Sequence, residues 1–219
     1  MIAVRMPSQI HGLYAVTPDE QNTDVLLGKV EAVLRGGIHV LQYRNKRADH
    51  KLQTQQARAI LPLCRQYQVP FIINDSVKLC LTLDADGVHL GADDDNLAEA
   101  RARLGAGKIL GASCYNQLDL AIAAAQAGAD YAAFGACFVS VTKPNAVAAP
   151  LDLFTRAREL INIPLVAIGG INEENAVQAI TAGADAIAVV GALFSHDSEE
   201  AMEASARKFS QLFLNVNKS

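Results

Sequence analysis

Asp75 and Asp94 each stand just past a short apolar run that ends near Ile73 and Leu90. A carboxylate at each of two neighbouring strand ends is a hard-oxygen arrangement suited to Mg2+, which commonly takes one or two carboxylates together with substrate phosphates and water. Both positions also fit helix starts, and within Asp93–Asp95 the better candidate for a plain N-cap is Asp95. Upstream lies Gln42-Tyr43-Arg44-Asn45-Lys46. The period-2 alternation of a strand puts Gln42, Arg44 and Lys46 on one face. Two cations and an amide there could grip a diphosphate and a heterocycle, although the same residues also suit a solvated loop. Asn74 precedes Asp75. Ser113 ends another apolar run without an acid–base relay around it in sequence, which suits a cap or turn and argues against a serine nucleophile. Ser140, Thr142, Lys143 and Asn145 form a hydroxyl-rich loop with one cation, a lid or a phosphate loop. Gly169-Gly170 and Gly191 could let backbone N–H groups approach an anion, or could serve tight turns only. The five histidines do not cluster, and none is assigned to catalysis. His39 and His89 read as packed core residues; His11, His50 and His196 read as loop or helix-start residues.

Such positions do chemistry together only if a scaffold brings strand ends to one place. Eight candidate strands run along the chain: Gly12–Val16, His39–Tyr43, Phe71–Ile73, Gly87–Leu90, Ile109–Ala112, Tyr131–Phe134, Leu165–Ile168 and Ala186–Val190. Residues 24–35, 49–67, 95–104, 117–127, 151–161, 172–182 and 198–214 read as amphipathic helices between and after them. Asn172 and Asp152 look like helix starts, and Gly36-Gly37, Gly128 and Gly183 like helix stops. A weak repeat underlies the alternation. Gly128-Ala129-Asp130-Tyr131 echoes Gly183-Ala184-Asp185-Ala186, and Ala85-Asp86-Gly87 is a fainter copy. Strict alternation with such a repeat predicts an α/β fold, a (β/α)8 TIM barrel in a single domain over 1–219, with the chemistry just past the C-terminal strand ends.

Composition narrows the class. The chain has 219 residues, 51% hydrophobic and 19% charged, an ordinary globular mix. Aromatics are 5% and Trp is absent, so the core must be aliphatic, as suits buried parallel strands. The net charge is -4 with no basic run, which argues against a nucleic-acid partner. No apolar stretch approaches the roughly 18 residues of a membrane span, and no signal-peptide pattern opens the chain. Cys64, Cys80, Cys114 and Cys137 are irregularly spaced and read as reduced, buried thiols of a cytoplasmic protein. Small-molecule partners are expected; homo-oligomerisation stays open.

Taken together, Leu13-Tyr14-Ala15-Val16-Thr17, Gln42-x-Arg44-x-Lys46, Asn74-Asp75, Gly87-Val88-His89-Leu90-Gly91 with Asp94, Gly111-Ala112-Ser113, Ser140-x-Thr142-Lys143-Pro144-Asn145 and Ala167-Ile168-Gly169-Gly170-Ile171 resemble the thiamine phosphate synthase family. The resemblance spans nearly the whole chain, from Leu13 to Ala192. It implies a Mg2+-assisted transferase that joins 4-amino-2-methyl-5-(diphosphooxymethyl)pyrimidine to a thiazole phosphate by a dissociative mechanism, releasing pyrophosphate. By the same resemblance Gln42, Arg44, Lys46, Asn74, Ser113 and Lys143 contact the pyrimidine diphosphate, and Asp75 and Asp94 carry the metal. Ser140, Thr142, Gly170 and the Val190-Gly191 backbone contact the thiazole phosphate. Arg44, Lys46, Ser113 and Lys143 form the catalytic set.

The chain departs from the family pattern at Ala92, which removes an amide, at Ser140, where Thr is usual, and at Gly191, where Ser is common. Two other functions compete. A thiazole tautomerase-like paralogue would need a proton-transfer group and no diphosphate–Mg2+ site. A non-catalytic phospho-ligand-binding barrel would not need two metal carboxylates opposite a phosphate loop.

Overall fold

A computed structural model describes residues 10–91, 94–139 and 148–216. Eight strands alternate with helices: β1 Gly12–Val16, α1 Thr23–Arg35, β2 Val40–Tyr43, α2 His50–Tyr67, β3 Phe71–Asn74, α3 Val77–Leu83, β4 Gly87–Leu90, α4 Leu97–Leu104 and β5 Ile109–Tyr115 make the first part. The second part is α5 Leu118–Gln126, β6 Tyr131–Phe134, α6 Asp152–Arg158, β7 Leu165–Ile168, α7 Ala176–Thr181, β8 Ala186–Val189, α8 Gly191–Phe194 and α9 Glu199–Val216. Each strand pairs in parallel with the next, and β8 pairs with β1, so the sheet closes as a (β/α)8 barrel.

Alternate strand residues face opposite ways. Tyr14, Val16, Val40, Ile72, Tyr131, Ala133, Val166, Ala186 and Ala188 fill the barrel interior. Leu13, Leu41, Phe71, Ile73, Val88 and Ile187 pack outward under the helices, in a core that also buries Cys64, Cys80 and Cys114. All four cysteines are free, and burial pushes the Cys80 thiol up to about 11 and that of Cys114 to about 12.

The sequence repeat has a structural cause at the N-terminal end of the barrel. Asp86, Asp130 and Asp185 each immediately precede an even-numbered strand and tie it to the strand before. The Asp86 amide donates to the Phe71 carbonyl at 3.0 Å, while Asp86 Oδ2 accepts from the Phe71 amide at 2.8 Å. Asp130 does the same to Leu110 and Asp185 to Leu165, with carboxylate contacts of 2.8 and 2.7 Å. Arg101 and Arg158 pair with the last two carboxylates. His39 takes the corresponding place before β2, donating its amide to the Leu13 carbonyl at 2.8 Å while Nδ1 lies 3.4 Å from the Leu13 amide. Gly128 and Gly183 precede two of these clamps with φ of +88° and +108°, which lets the chain leave the helix sharply.

Several boundaries differ from expectation. Asn96, not Asp95, caps α4, accepting from the Ala98 and Glu99 amides; Asp95 pairs with Arg103 instead. The seven residues of α3 are too few to show an amphipathic period, so no helix is expected there; Ser76 caps it. β5 runs past Ala112 through a bulge between Ser113 and Tyr115, because Ser113 still pairs with Ala133 and Tyr115 with Phe134.

Candidate active site

The C-terminal strand ends converge as a barrel requires, and the loop after β2 is fixed first. Thr17 Oγ1 accepts from the Arg44 amide at 2.8 Å and donates to the Arg44 carbonyl at 2.9 Å. Asp19 Oδ1 accepts from the Lys46 amide at 2.8 Å and lies 3.6 Å from Arg44 Nη1. On the opposite phase Tyr43 and Asn45 turn outward to the buried Gln56, whose Oε1 receives both at 2.8 and 3.0 Å. The alternation expected for Gln42, Arg44 and Lys46 therefore holds.

Asp75 follows β3 at φ +62°, a left-handed conformation that Asp adopts more readily than most residues. Lys46 Nζ lies 3.1 Å from Asp75 Oδ2. Asp94 Oδ2 accepts from the Gly91 amide at 2.6 Å, and the Asp94 carboxyl lies against that of Asp75. Burial pushes the Asp94 carboxyl above its ordinary pKa and Asp75 adds to this, against the Gly91 amide and the Lys46 ammonium. A cation beyond Lys46 would relieve the contact between the two carboxyls. Among the described residues no group of three or more His, Cys, Asp or Glu is placed to hold a metal. A carboxylate pair suffices for Mg2+ when substrate phosphates and water complete the shell.

Sequence reasoning missed the polar side chains inside the barrel. Gln42 Nε2 donates to the Tyr14 hydroxyl at 2.8 Å, which lies 2.7 Å from the Tyr131 hydroxyl. His89 bridges onward, Nδ1 at 2.9 Å from Tyr131 and Nε2 at 2.9 Å from Ser113 Oγ. Ser113 thus has a histidine partner from 24 positions away. Burial depresses the His89 pKa to about 4, so the ring is neutral. Gly111, in phase with Ser113, leaves room for this path: a Cβ there would sit 2.0 Å from Tyr131 Cζ. The available signal was the phase of Tyr14, His89 and Tyr131, the inward positions of strands otherwise rich in aliphatic residues.

The loops after β7 and β8 behave differently from each other. Gly170 has φ +66°, and a Cβ would sit 2.5 Å from the Phe138 carbonyl oxygen and 2.6 Å from that of Val139. The glycine is therefore required by the neighbouring loop backbone, whatever anion approaches. Gly191 opens α8 after Val190, and a Cβ there would meet only Ser195 Oγ at 3.8 Å. The structure brings Gln42, Arg44, Lys46, Asn74, Asp75, Asp94 and Ser113 to one end of the barrel, beside the Gly170 and Val190-Gly191 turns. Ser140, Thr142 and Lys143 lie outside the described residues, as do Ala92 and Asp93.

The sequence pattern of a family described as thiamine monophosphate synthase matches residues 13–193. The chain belongs to this family. The thiamine-phosphate synthase of Methylobacillus flagellatus is 58% identical over 204 residues, covering 93% of this chain and 96% of that one. That of Aromatoleum aromaticum is 52% identical over 200 residues, covering 91% and 96%. Among solved structures, a thiamine phosphate pyrophosphorylase from Pyrococcus furiosus superposes with a TM-score of 0.84 at 30% identity, covering 95% of this chain and 98% of that one. A 3-hexulose-6-phosphate synthase, at 16% identity and a TM-score of 0.68, shares the fold alone. As a thiamine monophosphate synthase family member the chain is an enzyme, a transferase of thiamine biosynthesis. No helix among the described residues is long and apolar enough to cross a membrane.

Proposed function

We propose that the protein condenses 4-amino-2-methyl-5-(diphosphooxymethyl)pyrimidine with a thiazole phosphate to give thiamine phosphate and pyrophosphate, with Mg2+ as cofactor. The observation that carries this is the Asp75–Asp94 carboxyl contact beside Lys46, in a chain of this family. Two carboxyls in contact, with Lys46 beside them, would suit a divalent cation held together with a diphosphate.

In the proposed reaction the bond between the pyrimidine methylene and the diphosphate oxygen breaks first, and its electron pair leaves with pyrophosphate. The electron-rich aminopyrimidine stabilises the methylene cation until the thiazole nitrogen donates its lone pair and forms the new C–N bond. This chemistry needs no protein nucleophile. Arg44, Lys46 and Lys143 neutralise charge developing on the leaving group, and Gln42, Asn74 and Ser113 orient the pyrimidine diphosphate. Asp75 and Asp94 would hold Mg2+, which supplies further charge neutralisation when bound. Ser140, Thr142, Gly170 and the Val190-Gly191 backbone receive the thiazole phosphate. Its pocket is proposed to survive the change to Gly191, because the backbone N–H remains.

Purified protein mixed with both precursors and Mg2+ is expected to release thiamine phosphate and pyrophosphate in equal amounts, and neither when one precursor is omitted. Isomerisation of a thiazole phosphate without condensation would favour the tautomerase-like alternative, and binding without turnover the non-catalytic one. Arg44→Ala and Lys143→Ala are expected to slow turnover; an effect confined to thiazole phosphate affinity would refute their assigned roles.

A further inference from the structure

Gln42, Tyr14, Tyr131, His89 and Ser113 form one unbroken line of hydrogen bonds across the barrel interior, from β2 through β1, β6 and β4 to β5. The direction of the line follows from donor counting. The Gln42 amide nitrogen can only donate. Tyr14 oxygen receives that proton, and among the described residues the acceptor within reach of the Tyr14 hydroxyl's own proton is the Tyr131 oxygen. With Tyr14 as its donor, Tyr131 has His89 Nδ1 as the remaining acceptor for its own proton. A neutral imidazole that accepts at Nδ1 carries its proton on Nε2, and Nε2–H then donates to Ser113 Oγ. We propose that this directional chain makes His89 a positioning residue, which fixes the Ser113 oxygen as an acceptor and leaves the Ser113 hydroxyl proton to donate into the barrel mouth.

The proposal deepens the reading above and rests on it, since the anion that Ser113 would meet is the pyrimidine diphosphate. Run the other way, the chain would spend the serine proton on His89 Nε2 and present only lone pairs to that anion. The chain also joins Gln42 on β2 and Ser113 on β5, three strands apart around the barrel, through buried side chains. Tyr14, Tyr131 and His89 are buried, and the Tyr131 ring occupies the space that a side chain on Gly111 would need. A serine hydroxyl fixed in this way does not have to be reoriented when substrate binds.

The test is nitrogen NMR of the full-length protein carrying 15N-histidine, with His89→Gln used to assign the signal. The expected result is a single neutral His89 with the proton on Nε2. A proton on Nδ1, or rapid exchange between tautomers, would overturn the proposal. This readout needs no turnover, so it stands or fails apart from the proposed reaction. Kinetics supply a second arm if thiamine phosphate forms. Tyr131→Phe removes the middle donor and is expected to lower kcat/KM for the pyrimidine diphosphate by roughly 10- to 100-fold, the worth of a hydrogen bond to a charged group. The thiazole phosphate KM should be unchanged. In a Ser113→Ala background the same change should add almost nothing, because both act through one hydroxyl. Additive losses would show that Tyr131 acts independently of Ser113 and would refute the chain.

Discussion

Asp86, Asp130 and Asp185 stand at one end of the barrel, and Asp75 and Asp94 at the other. The first three carboxylates each accept a backbone amide of the preceding strand, and two of them also meet an arginine. Their charge is compensated within the fold. The second two face each other, with Lys46 beside them and the Gly91 amide on Asp94. Like charges set in contact work against stability, and this arrangement makes sense if something outside the chain completes it. On the proposed reading the same residue type serves the fold at the N-terminal end and the ligand at the C-terminal end, the division expected of this barrel.

The contrast breaks most visibly under substitution. Asp75→Asn should cut turnover by at least roughly 100-fold while melting at or above the wild-type temperature, since it removes a like-charge contact; Arg44→Ala should cost roughly 10²–10³ in rate. Calorimetric melting with steady-state turnover checks both, and a lowered melting temperature for Asp75→Asn would place that carboxylate with the structural set.

Acid should expose the buried imidazole. His89 is neutral when folded, with a pKa near 4, and ordinary when unfolded, near 6.5. Unfolding therefore takes up a proton between those values, so stability falls as pH drops from 6.5 and the loss levels off near 4. The gap corresponds to about 3 kcal/mol. Denaturant titrations at several pH values should show that His89→Gln loses less stability over this window than wild type. Equal losses would mean that His89 is not held neutral. Burial and His11 depress His39 in the same direction, and His39 stays in both proteins, so the comparison isolates His89.

Asp130→Ala should do the reverse of Asp75→Asn. It strips the Leu110 amide and Arg101 of a charged partner, at a cost of about 2 kcal/mol. The melting temperature should drop with kcat unchanged, and a selective loss of turnover would erase the distinction between the two ends.

What each end writes locally was legible. The Asp-before-strand repeat is local, and so are the apolar runs, the helix-end glycines and the phase of Gln42, Arg44 and Lys46. Each is written within a few consecutive residues. The interior chain was not legible, because Tyr14 and Tyr131 meet across 117 positions and Gln42 and Tyr14 across 28. Nothing local to Ser113 announces His89. Gly170 and Gly191 looked alike in sequence and differ in structure, since only the contacts of an added Cβ separate them.

That difference gives the smallest expected effects. Gly191→Ser should fold and stay active within about twofold, because open space surrounds the new side chain; Gly191→Val should raise the thiazole phosphate KM and leave the pyrimidine diphosphate KM nearly untouched. Varying each substrate in turn measures this. Equal weakening of both substrates, with an unchanged circular dichroism spectrum, would remove the loop after β8 from the thiazole phosphate site.

The division of labour between the two ends is tested most directly by the Mg2+ dependence of thiamine phosphate formation at saturating precursors, in wild type, Asp75→Asn and Asp130→Asn. The expected result is that wild type and Asp130→Asn share one half-saturating Mg2+ concentration and lose activity to a chelator, while Asp75→Asn needs at least roughly tenfold more Mg2+ or yields no product. A Mg2+ curve for Asp75→Asn that overlays wild type would contradict it.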